Sequence, residues 1–202
     1  MKLNFTWQDD GQLHQYCINC HTDGAEKVNE GGKRGYHCAG CGLHHPRAIV
    51  IDPAIKYTVE PDGEYKHEVS AIFVREPGGK FLFFELTKFP FGVTVPAGHI
   101  DAREQPADAA KRELKEEVGL SGEPLEFFNE EINPESCSRG SDVHRWHAFV
   151  VELSDPAEVN LNDEGMNPVW LTLDEAVQKD LTVAVRSVLK TSAGKLAKPA
   201  AF

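Results

Sequence analysis

The sequence predicts an α/β body preceded by a small metal-stapled module, and three observations carry that prediction. Two Cys-x2-Cys pairs fall within the first 41 residues. From His67 onward, short runs rich in β-branched and aromatic residues are separated by turn residues, as strands are. At two places, near residue 110 and near residue 184, apolar residues instead recur at intervals of three and four, the spacing that gives a helix one apolar face.

The chain has 202 residues, 41% of them hydrophobic, which is enough for one core and a small module. No run approaches the ~20 uninterrupted apolar residues of a membrane-spanning helix. The opening MKLNFTWQDD lacks the apolar core of a signal peptide, so a cytoplasmic protein with no membrane partner is expected. The net charge is −11 and sits unevenly: residues 1–50 carry five basic and five acidic side chains, so the whole excess lies beyond them. An acidic body argues against nucleic acid as partner. A small anionic substrate remains compatible, because bound metal ions invert the local charge. A homodimer remains an open assembly.

Cys17, Cys20, Cys38 and Cys41 have the double-knuckle spacing of a four-thiolate zinc site. Gly40 and Gly42 flank Cys41 and suit a tight knuckle. Two disulfides or a redox pair are the alternative, and a reducing interior weighs against them. His37, His44 and His45 lie close by, but four thiolates already complete a tetrahedron. The segment is too short to form a core, so the metal would supply its folding energy. It resembles a zinc ribbon, expected to be a structural appendage spanning residues 1–55 with its connector, in which RAIVID (47–52) reads as a strand.

HEVSAIFVRE (67–76) and KFLFFELT (80–87) read as a hairpin around Pro77-Gly78-Gly79. Phe89, Phe91, Val93 and Val95 alternate and read as a strand that delivers the chain to Gly98. Further strands are expected at 124–132, 145–153 and 168–173, separated by polar loops at 133–144 and 154–167. The first loop holds the odd Cys137, read as a passive thiol because no Cys/His arrangement supports a nucleophile. Thr172 and Glu175 form a capping box. It opens a helix of roughly fifteen residues, whose apolar face is Val177, Leu181, Ala184, Val185 and Val188, with a break near Asp180 left open by β-branched Thr182 and Val183. Residues 191–202 read as a tail with too little apolar content to pack, leaving 56–190 as the main body.

The stretch GHIDAREQPADAAKRELKEEVGL, Gly98–Leu120, carries the chemistry. Pro106 suits a first helical turn, helix formers follow, and Gly119 ends the run. Ala107, Ala110, Leu114 and Val118 form its apolar face, while Glu113, Glu116 and Glu117 cluster on another. Clustered carboxylates repel, and a fold keeps them most easily around hard cations such as Mg²⁺ or Mn²⁺. A solvated acidic face partnered by Lys111 and Lys115 is the plainer alternative.

Gly98, Glu104, Arg112, Glu113, Leu114, Glu116, Glu117, Gly119 and Leu120 match every defined position of G-x5-E-x7-R-E-U-x-E-E-x-G-U, with U aliphatic. In this the chain resembles the Nudix hydrolases. The resemblance implies an α/β/α sandwich around a mixed sheet and metal-dependent hydrolysis of nucleoside diphosphates linked to another group. It implies Glu113, Glu116 and Glu117 as metal ligands, Glu104 and Arg112 as orienting residues, and the carbonyl of Ala97 or Gly98 at the metal site. Many members recruit a further loop carboxylate. Glu164 is the first candidate here, with Asp163 and Glu158 as rivals, each weighed against a solvated loop residue. His99 is expected in a solvated loop position. The lead-in VPAGHID resembles ADP-ribose pyrophosphatases, and Pro134 lies near the proline those relatives carry beyond the box. NADH pyrophosphatases and RNA-decapping relatives also join a four-Cys module to a Nudix domain, but their S-Q-P-W-P-F-P motif is missing. A non-catalytic binding or regulatory module is the third alternative, and the intact box argues against it.

Overall fold

The computed structural model describes residues 1–30, 33–132, 134 and 136–197. The N-terminal part holds β1 (His14–Tyr16), β2 (Glu26–Glu30), β3 (Lys33–His37), β4 (His44–His45) and β5 (Ile49–Ile51). β2, β3 and β4 form one small antiparallel sheet, and β1 pairs with β5 in another. The body follows with β6 (Tyr57–Val59), β7 (Tyr65–Arg75), β8 (Phe81–Leu86), β9 (Val93–Thr94), β10 (Ala97–His99) and α1 (Pro106–Val118). It closes with β11 (Leu125–Ile132), β12 (Val143–Glu152), β13 (Gly165–Leu171), α2 (Leu173–Ala176) and α3 (Val183–Leu196).

The body is built on a mixed sheet in the order β11-β12-β7-β8-β13. β12 runs parallel to β7, and the other pairings are antiparallel. β6 and β10 add to β7, and β9 adds to β8. The central strands have continuous apolar runs because both faces are covered. Val69, Ala71 and Phe73 of β7, with Phe81 and Phe83 of β8, pack with Ala184, Val185, Val188 and Leu196 of α3. Their alternates Ile72, Val74, Leu82 and Phe84 pack with Ala110, Leu114 and Val118 of α1. The expected helix–sheet–helix sandwich is thus present, with α1 on one face and α3 on the other.

α1 begins as expected, with Pro106 in its first turn, and ends at Gly119, whose N–H donates to the Leu114 and Lys115 carbonyls and whose φ of 72° lets the Leu120 N–H reach back to the Leu114 carbonyl. Three expectations change. The alternation at Phe89–Val95 is not one strand: only Val93–Thr94 pairs, and Phe91 is 71% exposed, because Pro90 and Gly92 interrupt the ladder. The fifteen-residue helix is two helices, parted at the break near Asp180 that the sequence left open. The Thr172–Glu175 capping box is made, but α2 lasts one turn. The Val93 N–H then donates to the Asp180 carbonyl at 2.8 Å, and the Thr182 N–H donates to the Val93 carbonyl at 3.0 Å. These strand-like bonds compete with helical ones and leave Val177 49% exposed. Finally, the segment after Lys190 does pack. α3 runs to Leu196, which is buried and whose carbonyl accepts from Arg75 at 2.8 Å. Residues 198–202 of the expected tail, and Asn133 and Glu135 of the first polar loop, lie outside the described residues.

The N-terminal module shares a core with the body. Leu3, Tyr16, Ile49 and Ile51 pack against Tyr65, whose hydroxyl donates to the Val50 carbonyl at 2.6 Å. The loop before β12 is sewn to the same segment. Ala48 and Val50 donate to the Ser138 and Arg139 carbonyls, Arg47 pairs with Asp142, and Arg139 pairs with Asp52.

Candidate active site

Helix α1 presents its carboxylates toward the end of β10, where the backbone comes very close. An added Cβ on Gly98 would lie 1.9 Å from Glu113 Oε1, so only glycine fits while Glu113 holds this position. The neighbouring Ala97 N–H donates to Glu117 Oε2 at 2.9 Å. Arg112 organises the rest. Its guanidinium donates to both Glu104 oxygens at 3.1 and 2.8 Å, to Glu113 Oε1 at 2.5 Å and to the His99 carbonyl at 3.1 Å. Arg112 is held further above its ordinary range, first by its bond to Glu104. Burial works to raise Glu104, but the Arg112 bond prevails and holds it below the usual carboxylate range.

Glu113 and Glu117 are both buried. Burial raises the Glu113 carboxyl in spite of Arg112. Glu117 is pushed up to about 8, by burial first and then by the charges of Glu113 and Glu164, with the Ala97 N–H and Lys88 pulling the other way. Such a pair favours a proton or a cation. Glu116 differs from its neighbours: its side chain is 58% exposed and touches Arg112 at 3.5 Å.

A cavity of about 880 Å³ opens over Gly98, Arg112, Glu113 and Glu117. Glu164 and its ion-pair partner Lys88 line the same cavity. Its rivals Asp163 and Glu158 are exposed and do not line it. The N-terminal module supplies part of the wall through Lys27 and Tyr36. Pro134 is exposed.

The four N-terminal cysteines converge. Cys17 Sγ lies 3.7 Å from Cys41 Sγ, and Cys20 Sγ lies 3.6 Å from Cys38 Sγ. Tetrahedral thiolates at about 2.3 Å from one ion would stand about 3.8 Å apart. The Cys20 thiol is held down to about 6, first by its bond with the Thr22 hydroxyl, so its metal-binding form is accessible at neutral pH. Among the described residues no disulfide is present. These four sulfurs could hold a metal ion.

Two expectations from the sequence fail here. His99 is not in a solvated loop but in β10, partly buried between the rings of His67 and His144. Cys137 does meet histidines: its Sγ lies 3.7 Å from His67 Nδ1. The register that brings them together is long-range and left no local pattern to read.

The NUDIX domain family model matches residues 65–191, which is more than half of the chain. The chain belongs to the Nudix family of pyrophosphohydrolases. This Nudix protein is 31% identical over 112 residues to an asymmetrical bis(5'-nucleosyl)-tetraphosphatase of Caenorhabditis elegans, covering 53% of this chain and 79% of that one. It is 29% identical over 126 residues to phosphatase NudJ of Escherichia coli, covering 56% and 74%. Its fold is shared with a MutT protein from Methanosarcina mazei, with a TM-score of 0.56 at 18% identity over 66% of this chain and 96% of that one. The matched region holds the whole box and Glu164, and it leaves the four-cysteine module outside.

Proposed function

We propose that this Nudix protein hydrolyses the phosphoric anhydride of a nucleoside diphosphate derivative. In this reading Glu113, Glu116 and Glu117 hold Mg²⁺ or Mn²⁺, and Glu104, Arg112 and Glu164 orient or assist. The observation that carries it is the buried Glu113–Glu117 pair against the Gly98 backbone at the cavity. Hard oxygen donors fit such ions, which keep several waters and take further ligands from substrate phosphates. A half-open set with Glu116 at the rim suits that habit. When bound, the ion lowers the pKa of a coordinated water and stabilises charge on the phosphate oxygens. The chain's own residues do the holding. Arg112 fixes Glu113 and the His99 carbonyl, the Ala97 N–H fixes Glu117, and Lys88 supplies a cation beside Glu164.

The same reading assigns residues 1–55 to a zinc ribbon and connector, with Zn²⁺ on Cys17, Cys20, Cys38 and Cys41, and residues 56–190 to the hydrolase body. Thiolates in this spacing suit the cytoplasm, where thiols stay reduced. No helix among the described residues is long and apolar enough to cross a membrane.

ADP-ribose is the first substrate proposed, on the VPAGHID lead-in. A dinucleoside polyphosphate is the second, favoured by the activity named for the Caenorhabditis elegans relative. A competitive assay with ADP-ribose, dinucleoside tetraphosphate, NADH, sugar nucleotides, nucleoside triphosphates and capped RNA decides. Release of AMP from ADP-ribose supports the first, and asymmetric cleavage of the tetraphosphate supports the second. Turnover of none of them, with Mg²⁺ or Mn²⁺ supplied, would overturn the assignment.

A further inference from the structure

His67, His99, Cys137 and His144 come from four separate stretches of chain, yet each offers a ligand atom within 4.8 Å of every other. β7 contributes His67, and β12 runs parallel to it with His144 directly opposite. β10 pairs on the other side of β7 and brings His99 two residues further along, opposite Val69. Cys137 closes the group from the loop before β12, where the Cys137 N–H donates to the Ser141 carbonyl and the Gly140 N–H to the Cys137 carbonyl.

We propose that these four side chains form a second transition-metal site, a three-histidine, one-cysteine centre for Zn²⁺ beside the Nudix box. The distances match the ion. With Zn–N near 2.0–2.1 Å and Zn–S near 2.3 Å, tetrahedral nitrogens stand about 3.4 Å apart and a nitrogen and sulfur about 3.6 Å apart. His67 Nδ1 lies 3.1 Å from His99 Nε2 and 3.7 Å from Cys137 Sγ. The rings of His67, His99 and His144 converge at centroid separations of 4.9, 5.5 and 6.0 Å. His67 Nε2 is buried without a hydrogen-bond partner, so the ring forgoes one bond while its other nitrogen is aimed into the cluster.

The donor set suits a metal as well, because neutral imidazole and thiolate are the forms that ligate. The nearby Arg139 charge is answered by Asp52 at 2.9 Å. Nitrogen and thiolate donors select zinc over the hard ions that suit the box carboxylates. Four protein ligands fill the tetrahedron, so the site is a staple rather than a place for substrate water.

What it staples is specific. Cys137 is followed by Ser138 and Arg139, whose carbonyls receive the Ala48 and Val50 N–H groups, so the ion ties the N-terminal module's docking loop to β7, β10 and β12. His99 follows Gly98, and its carbonyl accepts from Arg112, so the same ion holds the opening of the box in place.

The test is metal analysis of the full chain purified in zinc-containing medium and dialysed free of loose ions. Two zinc ions per chain are expected, falling by one in Cys137→Ser and by one in Cys20→Ser. Cys20→Ser reads the ribbon separately, so failure of either site is distinguishable. X-ray absorption of the unaltered protein guards against a variant that fails to fold. A zinc shell mixing sulfur with imidazole is expected, and after Cys20→Ser the imidazole signal should persist. A shell of sulfur alone in the unaltered protein, or the same zinc content in Cys137→Ser as in the parent, would overturn the proposal.

Discussion

Glu117 shows how burial ties one carboxyl to stability. Its carboxyl is pushed up to about 8 in the fold, whereas its ordinary value is 4.5. Between those values the native state holds a proton that the unfolded chain has released. Stability without divalent ions therefore falls as pH rises through that window. The facing groups are Glu113, Glu164, Lys88 and the Ala97 N–H. In the proposed assignment, binding of Mg²⁺ or Mn²⁺ at Glu117 expels the proton, so affinity for the ion is expected to rise through the same window. Glu117→Gln removes the buried charge with little change of volume. Its melting temperature in divalent-free buffer near pH 9 should exceed the parent's, by a stabilisation on the order of a few kcal/mol. Its turnover should drop by orders of magnitude. Parallel melting curves for the two proteins at high pH, or near-normal turnover of the variant, would contradict this. Gly98→Ala gives a complementary outcome. The new Cβ would meet Glu113 rather than backbone, so Glu113 swings away and the fold survives. Circular dichroism should be unchanged while turnover collapses.

Among the elements, α3 makes the clearest prediction. Leu196 is fully buried in the core that joins α3 to β7 and β8. Leu196→Ala should therefore destabilise by about 2–5 kcal/mol in chemical denaturation. Truncation after Lys190 should do worse, because it also removes the carbonyl that accepts from Arg75, a buried cation paired with Glu152. A truncated protein as stable as the parent would mean that the last turn is dispensable. At α2, the reciprocal Thr172–Glu175 bonds predict that Thr172→Ala costs about 1 kcal/mol, read from the same unfolding curves.

For the molecule as a whole, the N-terminal module and the sheet-bearing body share a core and line one cavity. The loop before β12 lies against residues 48–49 so closely that a Cβ on Gly140 would sit 2.5 Å from the Ala48 carbonyl, and its φ of 87° suits glycine alone. Gly140→Ala is therefore expected to loosen the module's docking. Melting should occur at lower temperature, and substrate should bind more weakly because Lys27 and Tyr36 leave the cavity wall. Isothermal titration with a non-hydrolysed nucleotide checks the second part, and unchanged affinity would show that the module's wall is not used.

The sequence by itself determined whatever depends on neighbours along the chain. The box lies on one helix, so spacing alone put Glu113 and Glu117 on a common face and named Pro106 and Gly119 as its ends. The continuous apolar runs of β7 and β8 marked buried strands, and the paired cysteines marked one cluster. Other features depended on residues far apart. The break after α2 arises because Val93 offers strand-like bonds to residues 180–182, a competitor that helical periodicity cannot register. Glu164 was already the first of three loop candidates, but only the fold places it, and not Asp163 or Glu158, on the cavity wall with Glu117. His67, His99, Cys137 and His144 look unrelated in the sequence. Their meeting is decided by the parallel register of β12 on β7 and the antiparallel register of β10, and pairing register is a property of the assembled sheet rather than of any one strand.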